Sequence, residues 1–538
     1  MLRLNNFPVP LDYTDESLKA LLLKKLGLSS NQLLSWTLVK RSVDARDKGD
    51  IRFVLSLDLA VADEAAALKR NKALTRVEEK PLPPLPSPRF VHRPLVVGAG
   101  PAGLFCALTL ARAGANPILI ERGKRVEERR QDVERMAAEG ILDPESNVQF
   151  GEGGAGAFSD GKLTCGVKSP YTRTVLDTFV AHGAPEQILI DPKPHIGTDR
   201  LRPVVAGIRE EILSLGGTVW FETRMEDLIT EDGRVVGARI LREGQIREIR
   251  TDAVFLCVGH SARDTLERLH RSGVRMEQKP FAMGVRIEHP RSLIDRSQYG
   301  RFAGHPRLGP ATYKLTWHTP DGRGVYTFCM CPGGHVIAAA SEPEGVAVNG
   351  MSFHARDGEN SNSALLVGVR PEDFGDPEDP LAGIRMQRRI ENAAWQAANG
   401  KATGVPGFLA PAQRVEDFLA DRATARFGDV RPSYRPGVVP ADLRAVLPDF
   451  IIRNLKMALP ALDRQLRGFA MPDAVLTGPE TRSSSPVRLP READGRAEGL
   501  AGLYPVGEGA GYAGGIVSAA LDGIAAARSA LGASALKG

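Results

Sequence analysis

The sequence predicts an α/β protein: a Rossmann-type dinucleotide-binding domain, an α+β domain inserted into it, and a small α+β module in front. Three observations predict it. A short apolar strand runs into Gly98-Ala99-Gly100-Pro101-Ala102-Gly103 and then into a helix rich in alanine and leucine. The stretch 502–530 repeats the order strand, glycines, helix. Between residues 80 and 90 the chain reads KPLPPLPSPRF, and five prolines in that span exclude helix and central strand.

With 538 residues, 42% of them hydrophobic, the chain can build several cores. A net charge of +5 on a surface of mixed sign does not call for nucleic acid. The five cysteines (Cys106, Cys165, Cys257, Cys329 and Cys331) are few and odd in number, which argues for a reducing compartment rather than a disulfide framework. The N-terminus, MLRLNNFPVPLDYTDES, lacks the apolar core and small-residue cleavage site of a signal peptide. No apolar run nears the ~20 residues of a membrane span. These features predict a cytoplasmic protein.

Residues 1–79 read as the first module. An apolar stretch, Leu2 to Leu11, precedes a helix that Thr14 caps, with Asp15 and Glu16 in its first turn, Lys24 and Lys25 in its last, and Gly27 ending it. Strands around Leu33–Val39 and Ile51–Leu59 and a helix around Asp63–Lys72 follow. A basic elbow (Lys40, Arg41, Arg46, Lys48) reads as a solvated turn that could also touch phosphates. Residues 80–91 form the linker. Residues 92–264 and 486–538 are assigned to the dinucleotide-binding domain and 265–485 to the inserted substrate domain. That middle stretch reads as irregular and rich in glycine and proline.

In the fingerprint, Gly98 permits the tight turn, Gly100 lets backbone approach a pyrophosphate, and Gly103 lets helix and strand pack closely. Pro101 and Ala102 open the helix, whose N-terminus offers N–H groups and partial positive charge to phosphates. A second strand, Pro117–Ile120, leads to Glu121 and Arg122. Glu121 stands where ribose hydroxyls are bound and argues against a 2′-phosphate there. Gly217–Leu228 and Arg234–Leu241 read as a hairpin around Asp232-Gly233. A second match to the glycine spacing, Gly151–Gly156, lacks a preceding strand and a following helix. Its glycines suit close approach to a flat ligand instead.

The C-terminal run GLYPVGEGAGYAGGIVSAALDG resembles the second FAD motif of two-segment flavoproteins. That resemblance places Gly507 and Glu508 at the ribityl chain, and the helix opened by Gly514, Gly515 and Ile516 at the flavin and pyrophosphate. Thr251–Gly259 looks like the strand that closes the same domain, and backbone near Met225 would meet the adenine. Further segments, VQFGEGGAGAFSDGKL (148–163), PHIGTD (194–199), FCMCPGG (328–334), NGMS (349–352) and TRSSSPV (481–487), resemble a bacterial group of FAD-dependent dehydrogenases or oxidoreductases along the whole chain. A more distant similarity runs to geranylgeranyl reductases and aromatic hydroxylases. The resemblance implies FAD as cofactor and says little about substrate. The oxidoreductase reading adds a small-molecule substrate, with the flavin reduced by that substrate or, since no second nucleotide domain is visible, by diffusible NAD(P)H.

No Ser/His/Asp arrangement and no metal-ligand spacing appears. Cys329 and Cys331, two apart on a strand, would face one side. They read either as a redox pair or as two small buried apolar residues, and the sequence shows nothing that lowers a thiol pKa. Lys162, His195 and His335 lie in glycine-rich segments and could face the cofactor. Arg482 with Ser483–Ser485 could bind an anionic group or cap a loop. The leading expectation is an FAD-dependent oxidoreductase. The alternatives are a flavin-dependent RNA-binding or RNA-modifying protein anchored by the first module, and a non-catalytic flavin-binding protein.

Overall fold

The computed structural model describes residues 1–78, 81–400 and 407–533. The junction drawn at 79/80 and the last five residues of the segment 486–538 lie outside the described residues.

The first module is a four-stranded antiparallel sheet in the order Leu33–Asp44, Arg52–Val61, Leu2–Pro10, Leu74–Arg76. Alternation sets its register: Leu2 and Leu4 meet Leu59 and Leu57, all buried. Helix Asp15–Leu26 begins with a capping box, in which Thr14 accepts from the Ser17 N–H (3.3 Å) and Ser17 accepts from the Thr14 N–H (2.9 Å). It ends on Gly27 in the left-handed region. The elbow arginines are already matched. Arg46 pairs with Asp44 at 2.6 Å, and Arg41 lies over the Phe53 ring and 3.9 Å from Asp191. The module docks on the loop 300–308, where Arg307 stacks 4.4 Å above Tyr13.

A five-stranded parallel sheet follows, in the order Leu503–Pro505, Val254–Leu256, Leu95–Val97, Ile118–Ile120, Thr218–Trp220. The C-terminal strand therefore pairs beside the closing strand, which pairs beside the fingerprint strand. The stretch expected as one hairpin arm, 217–228, is two strands. Thr218–Trp220 joins the parallel sheet, the chain corners at Glu222 with φ 49°, and Thr223–Glu231 pairs with Arg234–Arg242. The run of strand-forming residues hides the corner because a non-glycine residue makes it. A third strand, Gln245–Arg250, completes this small sheet.

The stretch 265–480 is not irregular. It holds a seven-stranded sheet in the order Thr316–His318, Gly324–Cys331, Asn360–Val369, Phe281–Pro290, Val475–Glu480, Ala410–Arg414, Val438–Pro440. Helices Ala382–Asn399 and Asp449–Gln465 pack against it. Its central strands are buried on both faces and carry polar residues inside: Arg286, Glu288 and His289 on one, Asn360 to Ser363 on its neighbour. Two-sided burial removes the period-two alternation by which a strand is read.

Candidate functional site

Strands Leu95–Val97 and Leu503–Pro505 run in the same direction in one sheet, and each feeds a helix: Pro101–Arg112 and Ile516–Ala530. Both helix N-termini therefore lie at the carboxyl edge of the sheet. The helices press together so closely that a Cβ on Gly523 would collide with the Ala102 carbonyl oxygen. The caps are Gly100 and Gly515, which offer no side-chain oxygen, and neither first turn carries an acid. The N–H groups of Ala102, Gly103, Ile516, Val517 and Ser518 thus lack intrahelical acceptors, beside two positive helix ends. In the first module, by contrast, Thr14, Asp15 and Glu16 neutralise the same feature.

The glycine run rejected as a second fingerprint lies against the first. The Gly153 N–H donates to the Ala99 carbonyl at 2.8 Å. A Cβ built on Gly156 would sit 3.1 Å from Ile516 Cγ1 and 3.6 Å from Pro101 Cγ, so this glycine lies between the two helix starts. Two buried charges hold the run in place. Glu121 accepts from Ala99 (2.8 Å), Gly123 (2.9 Å) and Gly151 (2.9 Å). Arg129, fully buried, donates to the carbonyls of Asn147 (2.7 Å), Val148 (2.9 Å), Gly151 (3.2 Å), Glu152 (2.7 Å) and Gly154 (2.9 Å). Burial pulls its pKa down to about 10.

Sequence reasoning missed Arg129, because one arginine on an amphipathic helix looks like surface. It assigned Glu121 to a ribose, and most of that carboxylate's acceptor positions are taken by backbone. Arg122 departs further from expectation: its guanidinium is committed to Glu145 (2.8 and 3.0 Å) and Asp264 (2.9 and 3.2 Å). A cavity of about 220 Å³ lies beside it, lined also by Lys124, Glu145 and Arg224. Met225 is buried on the strand Thr223–Glu231. Gly259, with φ 72°, lies against Gly509, two residues beyond Gly507. Burial pushes the carboxyl of Glu508 up to about 7, against the pull of Lys279 and a hydrogen bond from the Gly515 N–H.

From Gly156 the chain runs into a polar centre. Asp160, fully buried, binds Ser352, Arg356 and, at 3.2 Å, Lys162. The backbone at Lys162 pairs antiparallel with that at His195, and the Lys162 Nζ donates to the Met330 carbonyl. Burial works against the Lys162 cation, but Cys329, Cys331 and Asp160 outweigh it and raise its pKa. His195 stacks on His354 at 5.3 Å, and burial with Arg356 nearby lowers it to about 4, so it is neutral at neutral pH. His335 stands further out, edge-on to Phe353. Segments 148–163, 194–199, 328–334 and 349–352, far apart in sequence, thus meet in one place.

Cys329 and Cys331 do not lie on a straight strand. The register slips between Phe328 and Cys331, and Cys329 takes φ 42°. Cys331 is fully buried and Cys329 half-buried. The neighbouring Cys331 thiol, with Lys162 and Arg286 close by, holds Cys329 well below the ordinary thiol range, and Cys329 together with burial pushes Cys331 up.

Arg482 is not free to bind an anionic group. It is buried, and both its Nε (3.1 Å) and NH2 (2.8 Å) donate to Glu391. The same carboxylate takes two bonds from Arg263, at 2.7 and 2.9 Å. Arg263 and Arg482 stand where the chain passes out of and back toward the parallel sheet, so one carboxylate on helix Ala382–Asn399 ties both crossings.

Uncapped paired helix starts, a glycine run between them and a closing strand beside both define a flavoprotein of the FAD-binding class. Family profiles agree. One for an FAD binding domain matches residues 93–133, one described as FAD-dependent protein, C-terminal domain-like, matches 280–483, and one for a domain of unknown function matches 1–60. The chain is 46% identical over 528 residues to an uncharacterized protein of Clostridium beijerinckii, covering 97% of each. The chain belongs to this family of FAD-dependent proteins, and its cofactor is FAD. It is similar in structure to a geranylgeranyl bacteriochlorophyll reductase-like protein of Thermoplasma acidophilum (13% identity, 82% of this chain and 78% of that one, TM-score 0.35). It is also similar to the 3-ketosteroid-Δ4-(5α)-dehydrogenase of Rhodococcus jostii RHA1 (14% identity, 83% and 99%, TM-score 0.34). Among the described residues no helix is long and apolar enough to cross a membrane, and no cluster of His, Cys, Asp and Glu could hold a metal.

Proposed function

We propose that the chain is an FAD-dependent oxidoreductase acting on a small molecule, with diffusible NAD(P)H as electron donor. The observation that carries this reading is the polar centre of Asp160, Lys162, Cys329 and Arg356, reached through Gly156 from between the two helix starts. Residues 92–264 and 486–538 would hold the cofactor, and 265–485 the substrate side, behind the module 1–79 and linker 80–91. Gly98, Gly100, Pro101, Ala102 and Gly103 would receive the pyrophosphate. Glu121 would keep its remaining acceptor position for the ribose, and backbone at Met225 would meet the adenine. Gly259, Gly507, Glu508, Gly514, Gly515 and Ile516 would line the ribityl chain and flavin. Bound FAD supplies the electron-pair transfer. Lys162 places a cation where a reduced, anionic ring would gain from one.

The test is anaerobic mixing of the purified holoprotein with NADH and with NADPH, watching the visible flavin absorption. Bleaching by one of them, and its return with an organic acceptor, is the expected result. A flavin that dithionite bleaches but neither nicotinamide nor any organic donor reduces would instead mark a non-catalytic binding protein.

A further inference from the structure

We propose that Cys329 and Cys331 form a redox-active dithiol that exchanges an electron pair with the bound flavin; this rests on the reading that the flavin lies at the polar centre beside Lys162.

Geometry comes first. In a straight strand, residues two apart are separated by about 6.6 Å, near the upper limit of the Cα spacing a disulfide spans. The slip in register and the positive φ of Cys329 bend the chain between the two, so the straight-strand separation does not apply. Cys331 Sγ lies 3.3 Å from the Cys329 carbonyl. A positive φ at a non-glycine residue costs energy and is retained where surrounding structure enforces it.

Cations come second. Arg286, fully buried and 3.2 Å from Glu480, donates from both terminal nitrogens to the Cys329 carbonyl, at 3.0 and 3.1 Å. Lys162 donates to the next carbonyl, that of Met330. Two positive charges on one turn favour a thiolate there. The other close pair, Cys106 and Cys257, shows the contrast. It lies in an apolar core, and burial, then the Cys257 thiol, raises Cys106. Packing alone accounts for that pair, whereas at Cys329 two cations, each also paired with a buried carboxylate, donate to the carbonyls of the same turn.

In the step proposed, a sulfur–sulfur bond forms between Cys329 thiolate and Cys331, and the Cys331 S–H bond breaks. The electron pair passes to FAD. The two hydrogens gained by FADH2 are the Cys331 proton and one proton from solvent. Run in reverse, reduced flavin opens the disulfide.

The experiment is an anaerobic reductive titration of air-oxidised holoprotein with dithionite, with alkylation and mass mapping of the cysteines before and after. Wild type should take up four electrons per FAD, and Cys329→Ser and Cys331→Ser two each. In oxidised wild type the peptide carrying both cysteines should escape alkylation and run two hydrogens light; after reduction both thiols should react. Uptake of two electrons by wild type, with both thiols alkylated throughout and FAD bound and reduced normally, overturns the dithiol and leaves the oxidoreductase reading standing. Protein that holds no FAD overturns both. Should the serine variants fail to fold, alkylation of wild type decides alone.

Discussion

Arg129→Met is expected to yield a folded but colourless protein, less stable than wild type by about 3–5 kcal/mol. The side chain is fully buried and its donors reach five backbone carbonyls in the run 147–154. Each buried carbonyl left without a donor costs about 1–3 kcal/mol, and partial relaxation of the run recovers some of the sum. Methionine matches the length and restores none of the bonds. The run it releases carries Gly151, Gly153 and Gly154, which lie against Glu121, Ala99 and Gly100. Cofactor loss should therefore accompany the loss of stability. Arg129→Lys should recover little, because an ammonium cannot reproduce the planar fork that reaches carbonyls on several sides. Urea unfolding and the flavin absorbance per chain of the purified variants measure the two effects separately.

Glu391→Gln is the second large effect, again about 3–5 kcal/mol, and it carries a pH signature. The carboxylate receives Arg263 and Arg482 on both oxygens and Thr481 on one. The amide leaves buried Arg482 without its carboxylate and leaves Arg263 only Glu342, at 2.7 Å, and breaking a buried pair from one side costs this much. Burial favours the neutral acid, but Arg263 and Arg482 outweigh it and hold the Glu391 pKa far below its ordinary 4.5. A group depressed on folding contributes stability that is fully present above 4.5 and is lost as pH falls through the folded value. Wild type should therefore lose stability between neutral pH and about 4 through other groups, and lose this contribution only in stronger acid. Glu391→Gln should lack it at every pH, so the gap between the two narrows only below about pH 4. A gap already closed at pH 5 would contradict the assignment. Thermal unfolding across that range supplies the comparison.

What the sequence shows most clearly is what repeats a local rule. Thr14 and Gly27 bound their helix, and Leu95–Val97 with the glycines after it is a strand, a turn and a helix, because capping and tight turns depend on adjacent residues. The glycine run 151–156 has neither the preceding strand nor the following α-helix of a fingerprint, and its place between two helix starts depends on contacts with residue 516. The seven-stranded sheet was invisible because Arg286, Glu288 and Asn360 to Ser363 are buried polar residues on strands with no wet face. The bend at Cys329 escaped for a related reason: CxC on a strand implies one shared side only if the strand is straight. Arg482 looked available because its partner Glu391 lies 91 residues earlier.

A crystal structure of the holoprotein with FAD tests the central claim most directly. The pyrophosphate is expected at the junction of Gly100, Gly154 and the Gly515–Ile516 helix start, with the isoalloxazine ring extending toward Lys162 and Cys329. A pyrophosphate bound instead in the cavity lined by Arg122, Lys124 and Arg224, with the two helix starts bare, would contradict it.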